Sequence, residues 1–174
     1  MKRIMLTAVV LLGSLMFAQK NVTNPPGTAK LEDVDTLPHI TAAIYDVISG
    51  PAGTRDWERF HSLFYPGAEF IPLRTDKTGI VAARIHTTDE FISAAKTYFE
   101  KQGFYESGVA NRVEQWDHIA QVWSTYESRH SKGEKPFQRG INSIQLMNDG
   151  KRWWVLNIFW EGEENVPIPK KYLH

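Results

Sequence analysis

Few side chains in this chain are suited to move protons or hold an ion, and their spacing narrows the chemistry. None of the 174 residues is cysteine, which excludes disulfides, thiolate nucleophiles, thiolate-bound zinc and a cysteine-borne lipid anchor. His61, His86, His118, His130 and His174 are scattered, with no pair four residues apart and no HExxH run. Two imidazoles never share a helix face at ligand spacing, so no metal is expected. One imidazole suffices for acid–base work, because its unperturbed pKa lies near neutral. His61, beside Phe60 and Phe64, and His86, at the end of an apolar run, are the two that could serve, with Glu69 and Asp76 near them in sequence. The plainer reading of His61 is a partly exposed helix residue. Glu127, Arg129 and Arg139 form a second group. They read either as an anion clamp made by the arginines or as cross-strand ion pairs through Glu127, and the ion pairs are the simpler arrangement.

The elements that must position these groups are legible in order. From Ile119 to Gly162 three runs rich in β-branched and aromatic residues are separated at Lys132-Gly133-Glu134 and Asn148-Asp149-Gly150. Asp-Gly between such runs predicts a type I′ hairpin and hence an antiparallel meander. Upstream, Ile40, Ile44, Val47 and Ile48 recur at helical spacing after Thr36 and Pro38, which predicts a helix from Pro38 to Ser49. A shorter helix is predicted from Arg55 or Asp56 to Tyr65, and strands at Ala68 to Leu73 and Ile80 to His86. Thr87 with Glu90 forms a capping-box pattern that opens a third helix through about Lys101. Phe104 to Glu106 and Val109 to Asp117 lead into the meander. Helices segregated from an antiparallel meander imply an α+β domain with its helices on one sheet face.

Composition bounds the class. At 174 residues, 42% hydrophobic and 12% aromatic, the chain suits one domain with a sizeable core. Twenty basic residues balance twenty acidic ones, and no basic cluster is interleaved with aromatics, so no nucleic-acid partner is expected. Residues 1–18 read as a secretory signal, with Lys2 and Arg3 before the apolar run Ile4 to Phe17 and Ala18 at the cut. Export to the periplasm or the medium, with no membrane partner after cleavage, follows as an expectation. Residues 19–35 read as a flexible linker around Pro25-Pro26-Gly27, residues 36–162 as the domain, and residues 163–174 as an extended tail.

Between Arg152 and Trp160 both strand parities are apolar, with Asn157 the one polar residue after Arg152. A sheet with one wet face would alternate. If helices cover one face, a second copy is the simplest cover for the other, and a homodimer is expected. A monomer in light scattering at micromolar concentration would rule that out. The other arrangement is that the tail and a loop cover the face.

The segment from Tyr45 to Phe70, the TTDEF helix start at Thr87 to Phe91, and the closing run from Asp149 to Trp160 together resemble the nuclear transport factor 2-like, or SnoaL-like, superfamily. The resemblance spans residues 36–162 and looks especially like exported bacterial members. It implies a cone (cystatin-like): a curved, mainly antiparallel sheet wrapped around three N-terminal helices, with a pocket at the wide end. The superfamily holds ketosteroid isomerase, scytalone dehydratase and polyketide cyclases alongside binding proteins without catalysis. Matching the isomerase pattern places Tyr45 at its pocket tyrosine and Asn142 at its buried protonated acid. The base position falls near Pro72, which cannot take a proton, so steroid-type isomerisation is disfavoured.

That match also assigns the two sheet faces. Val122, Ser124, Tyr126, Gly140, Asn142, Ile144, Val155, Asn157 and Phe159 would face the pocket. Trp123, Thr125, Glu127, Arg139, Ile141, Trp154, Leu156, Ile158 and Trp160 would face away, with Trp123, Ile141, Trp154, Leu156, Ile158 and Trp160 meeting the second copy. The leading reading is an exported domain that binds a small, largely apolar molecule, with no cofactor and no catalytic constellation. Tyr45, Phe64, Ser124, Tyr126, Asn142, Asn157 and Phe159 would line the site, and Asn142 and Tyr45 would orient a carbonyl or hydroxyl. A second reading is a cofactor-independent acid–base enzyme of the cyclase, isomerase or dehydratase type, with His61 and Tyr45 handling protons. A structural or partner-binding dimer with a filled cone is the third.

Overall fold

A computed structural model describes residues 28–164 and 166–174. The expected signal, residues 1–18, and the linker as far as residue 27 lie outside the described residues.

Among the described residues, four helices precede or interrupt the sheet. α1, Leu31–Val34, falls inside the expected linker and buries Val34, so the ordered fold begins before residue 36. α2, Leu37–Ile48, starts where the Thr36 hydroxyl accepts the His39 N–H at 3.2 Å, with Pro38 in the first turn, where its missing N–H costs nothing. Its stripe of Ile40, Ile44, Val47 and Ile48 is buried. α3, Trp57–Leu63, is capped by Asp56 and ends two residues before the predicted Tyr65, because Phe64 is already extended. The Arg55 guanidinium donates to the carbonyls of Ile48, Gly50, Pro51 and Gly53, filling acceptors that the end of α2 and the following loop leave open. Arg59 grips Asp33 through two bonds of 2.8 Å and Asp46 through one of 2.6 Å, tying α1, α2 and α3 together. That grip holds the Asp33 carboxyl below the usual carboxylate range.

The chain then forms β1, Phe64–Thr75, and two short strands, β2 at Val81–Ala83 and β3 at His86–Thr87. α4, Thr88–Lys101, opens with the predicted capping box between Thr87 and Glu90. β4 at Tyr105–Trp116, β5 at Ile119–Arg129, β6 at Gln138–Asn148 and β7 at Trp153–Gly162 complete the sheet. The strand order is β2-β1-β7-β6-β5-β4, with β3 paired to β1. Among the described strands only β1 and β7 run parallel, so the meander is antiparallel throughout. The curved sheet holds the helices on its concave face, which gives the expected α+β cone.

Two local departures from regular pairing matter. The β6–β7 turn is a four-residue loop rather than a type I′ pair: Asn148 pairs Trp153, and among Asp149 to Arg152 only Gly150 has positive φ. Asp149 organises the loop by accepting the Lys151 and Arg152 N–H groups at 2.9 Å. More consequential is a bulge in β7. Gln145 pairs Asn157 while Leu146 pairs Val155, so Leu156 is an extra residue. Side chains after it point to the face opposite the one predicted. Ile158 and Trp160 turn inward, and Asn157 and Phe159 turn outward.

The tail is not simply extended. It ends in a 3-10 turn at Lys170–Tyr172, whose Tyr172 stacks on Trp123 at 5.5 Å and accepts the Thr125 hydroxyl at its carbonyl. Thr125, on the convex face, is thereby 1% exposed.

Candidate functional site

The helices do not fill the cone. A cavity of about 360 Å³ remains between them and the concave face. Ile44 and Ile48 from α2, Phe60 from α3, Phe70 and Pro72 from β1, and Ile158 and Trp160 from β7 form its walls. α4 supplies Phe91, which stacks on Phe70 at 4.4 Å and meets Trp160 edge-on at 6.5 Å. Interlocked rings of this kind pre-form an apolar wall. Arg74, His86 and Gln138 line the same cavity and keep contact with solvent, so they mark its rim.

One end of the cavity is polar. Asn142 on β6 lies opposite Ser124 on β5. The Asn142 amide donates to the Tyr45 hydroxyl at 3.1 Å, and that hydroxyl shares a 2.6 Å bond with Ser124. Burial pushes the Tyr45 phenol up to about 12. On β4, Glu106 points into the same end and accepts the Ser128 hydroxyl at 2.6 Å. The Asn142 side chain also favours the charged form of that carboxyl. Burial nevertheless raises Glu106 to about 7, outweighing the Ser128 and Asn142 hydrogen bonds that favour its charged form. Tyr126 stands beside it, 3% exposed, its hydroxyl bordering the cavity with no protein partner among the described residues. Burial and the neighbouring Glu106 carboxyl both raise the Tyr126 phenol, so it is a donor at neutral pH.

Two glycines make this crowding possible. A Cβ on Gly140 would lie 2.5 Å from the Tyr126 hydroxyl oxygen, and one on Gly108 would lie 2.9 Å from the Tyr45 ring. Each glycine therefore makes the space that one tyrosine occupies.

Of the residues expected to line a site, the structure brings Tyr126 and Asn142 to the cavity. Tyr45 and Ser124 lie behind them, bonded to each other and spent as supports. Phe64 is core, packed on Phe60 and Phe70 at 4.7 and 4.8 Å. Asn157 and Phe159 do not belong to the site, because the bulge at Leu156 turns them to the convex side. For the same reason Ile158 and Trp160 leave the expected dimer face, where Trp123, Ile141 and Trp154 stay. His61 faces away and pairs with Asp89 at 3.1 Å, so it does not converge with Tyr45. His86 reaches the rim; Glu69 and Asp76 are exposed and outside the cavity. Glu127 pairs with Arg139 across β5 and β6 at 3.7 Å and with Arg129 two residues along its own strand, so one of the two ion pairs is cross-strand.

Sequence reasoning missed Glu106. A lone glutamate in YESG reads as a solvated strand residue. The signal lay in pairing: the tight turn at Asp117-His118 puts β4 against β5, and counting back through the bulge at Val109 sets Glu106 opposite Ser128.

No family model and no curated protein matches the chain. Solved structures do. A protein of unknown function with a cystatin-like fold from Nostoc punctiforme superposes with a TM-score of 0.57 at 10% identity, covering 75% of this chain and 91% of that one. A domain of unknown function with a cystatin-like fold from the same organism gives 0.51 at 12% identity, covering 74% of each. An NTF-2-like protein of unknown function from Silicibacter pomeroyi gives 0.48 at 14% identity, covering 72% of this chain and 97% of that one. At these identities the likeness shows the fold alone. The chain has the cystatin-like fold that its resemblance to nuclear transport factor 2-like proteins implies.

Proposed function

We propose that this chain binds a small, largely apolar molecule inside the cone, and that the molecule presents an oxygen to Tyr126. The observation that carries this reading is a cavity-facing phenol, 3% exposed and without a protein partner, at the end of an aromatic-walled cavity of about 360 Å³. Ligand pockets have this make-up, apolar walls with a few convergent polar groups. The hydroxyl is reached from the cavity, so a ligand acceptor there would replace water and contribute about 0.5–1.5 kcal/mol. Acetophenone is a suitable probe. Its titration should shift the Ile48 and Ile158 methyl signals saturably, and Tyr126→Phe should weaken binding about tenfold. Shifts confined to other methyls, or equal affinity in the variant, would overturn the reading. Export of the chain belongs to the same proposal and rests on residues 1–18.

A second reading, cofactor-independent acid–base catalysis, is favoured by Glu106. A carboxyl with its pKa near 7, next to a phenol donor, is poised to take a proton from carbon while Tyr126 holds the oxygen that gains charge. It needs neither His61 nor Tyr45. In D2O the protein should speed exchange of the acetophenone methyl protons, and Glu106→Gln should abolish it. No exchange above the buffer rate would leave binding as the whole function.

A further inference from the structure

The polar end of the cavity presents two unlike groups side by side. The Tyr126 hydroxyl has no acceptor among the described residues. Glu106 is the reverse: the side chain bonded to its carboxyl, Ser128, is a donor. A carboxyl that accepts from Ser128 keeps further lone pairs for the cavity it lines, and they act as acceptors in its ionised form. The Asn142 amide already donates to the Tyr45 hydroxyl, and its side chain also favours the charged form of Glu106. At Tyr126 and the ionised Glu106 the occupant therefore meets one donor and one acceptor side by side.

We propose that the cone selects neutral molecules whose head carries a hydrogen-bond acceptor and donor next to each other, with an aromatic or aliphatic body: carboxamides and lactams. The carbonyl accepts from Tyr126 and the N–H donates to Glu106, while the body packs on Phe70, Phe91 and Trp160. This rests on the binding reading above. A ketone of the same shape satisfies Tyr126 only and leaves the carboxylate desolvated without a new partner. A carboxylic acid in its anionic form places two negative charges together. Arg74 stands at the exposed rim, where its charge acts on Tyr126 and is not among those that act on Glu106. A site built for a donor rejects the analogue lacking it more strongly than an apolar wall rejects a methyl group.

Benzamide, acetophenone and benzoate share one shape and separate these cases by titration calorimetry. Benzamide should bind at least tenfold tighter than either of the others, and Glu106→Leu should bring it level with acetophenone. Because a leucine there also strips Ser128 of its acceptor, a second arm uses the unaltered protein. The titratable groups around Glu106 are Tyr45 from α2 and Tyr126 from β5, with Arg74 from β1 acting on Tyr126. Neither phenol changes charge below pH 8, and His86 from β3, which lines the rim of the same cavity, is taken out of the comparison by repeating it in His86→Gln, so the response that persists there belongs to Glu106. With its midpoint near 7, benzamide affinity should rise about tenfold from pH 6 to pH 8, as the carboxylate fraction grows, while acetophenone affinity does not rise. Acetophenone binding as tightly as benzamide, benzoate binding tighter than both, or a flat pH response would each overturn the inference and leave the binding reading standing. Failure of both benzamide and acetophenone to bind would overturn the two together.

Discussion

At the scale of single residues, the site turns on Glu106, whose environment opposes its charge. Its folded pKa of about 7 lies above that of an unfolded glutamate, about 4.3. The folded state therefore holds the proton more tightly. That contribution is fully present below the unfolded value and is lost as pH rises through 7. Glu106→Gln keeps the shape without the charge, so it should gain roughly 2 kcal/mol over the wild type between pH 5 and pH 8 in urea denaturation. An offset that does not change with pH would refute the assignment. Asn142 and Tyr45 were legible as polar groups, but the resemblance that singled them out assigned them to the ligand. The structure uses Tyr45 as a support and turns the amide of Asn142 to the Tyr45 hydroxyl. A partner's identity is a three-dimensional fact, and residue type alone carries none of it.

At the scale of elements, capping chemistry was readable and sheet parity only in part. Thr36, Thr87 and Glu90 act over three or four residues, so their roles follow from local sequence. The face assigned to β5 and β6 holds through Val122, Ser124 and Ile144, all 0% exposed or lying among the core. In β7 it holds to Val155 and inverts beyond Leu156. A bulge leaves no mark in a strand whose two parities are both apolar, and one inserted residue changes every later position. The inversion has a measurable consequence. Ile158, 6% exposed, should cost about 2–4 kcal/mol when cut to alanine, and Phe159, 39% exposed, no more than about 1. Equal losses, or a larger one at Phe159, would mean that β7 follows the unbroken alternation.

At the scale of the whole molecule, the cone is defined by what its sheet faces. The concave side packs α2, α3 and α4 yet keeps a cavity with a polar end and a charged rim. The convex side is partly covered by the chain's own tail, where Tyr172 stacks on Trp123. Some of the apolar cover that the sequence assigned to a second copy is thus supplied within the chain. The α+β cone was legible because hydrophobic periodicity, turn chemistry and caps agree along the chain. The cavity was not, because its contents depend on β4 and β5 being brought into register across 22 residues, from Glu106 to Ser128. All three scales meet at that carboxyl, which only a closed cone can keep near neutrality. Carbon-13 NMR of the glutamate side chains across pH 4 to 9, assigned through Glu106→Gln, tests this most directly. One carboxyl should titrate at about 7. A Glu106 midpoint near the ordinary value of about 4.3 would contradict the account.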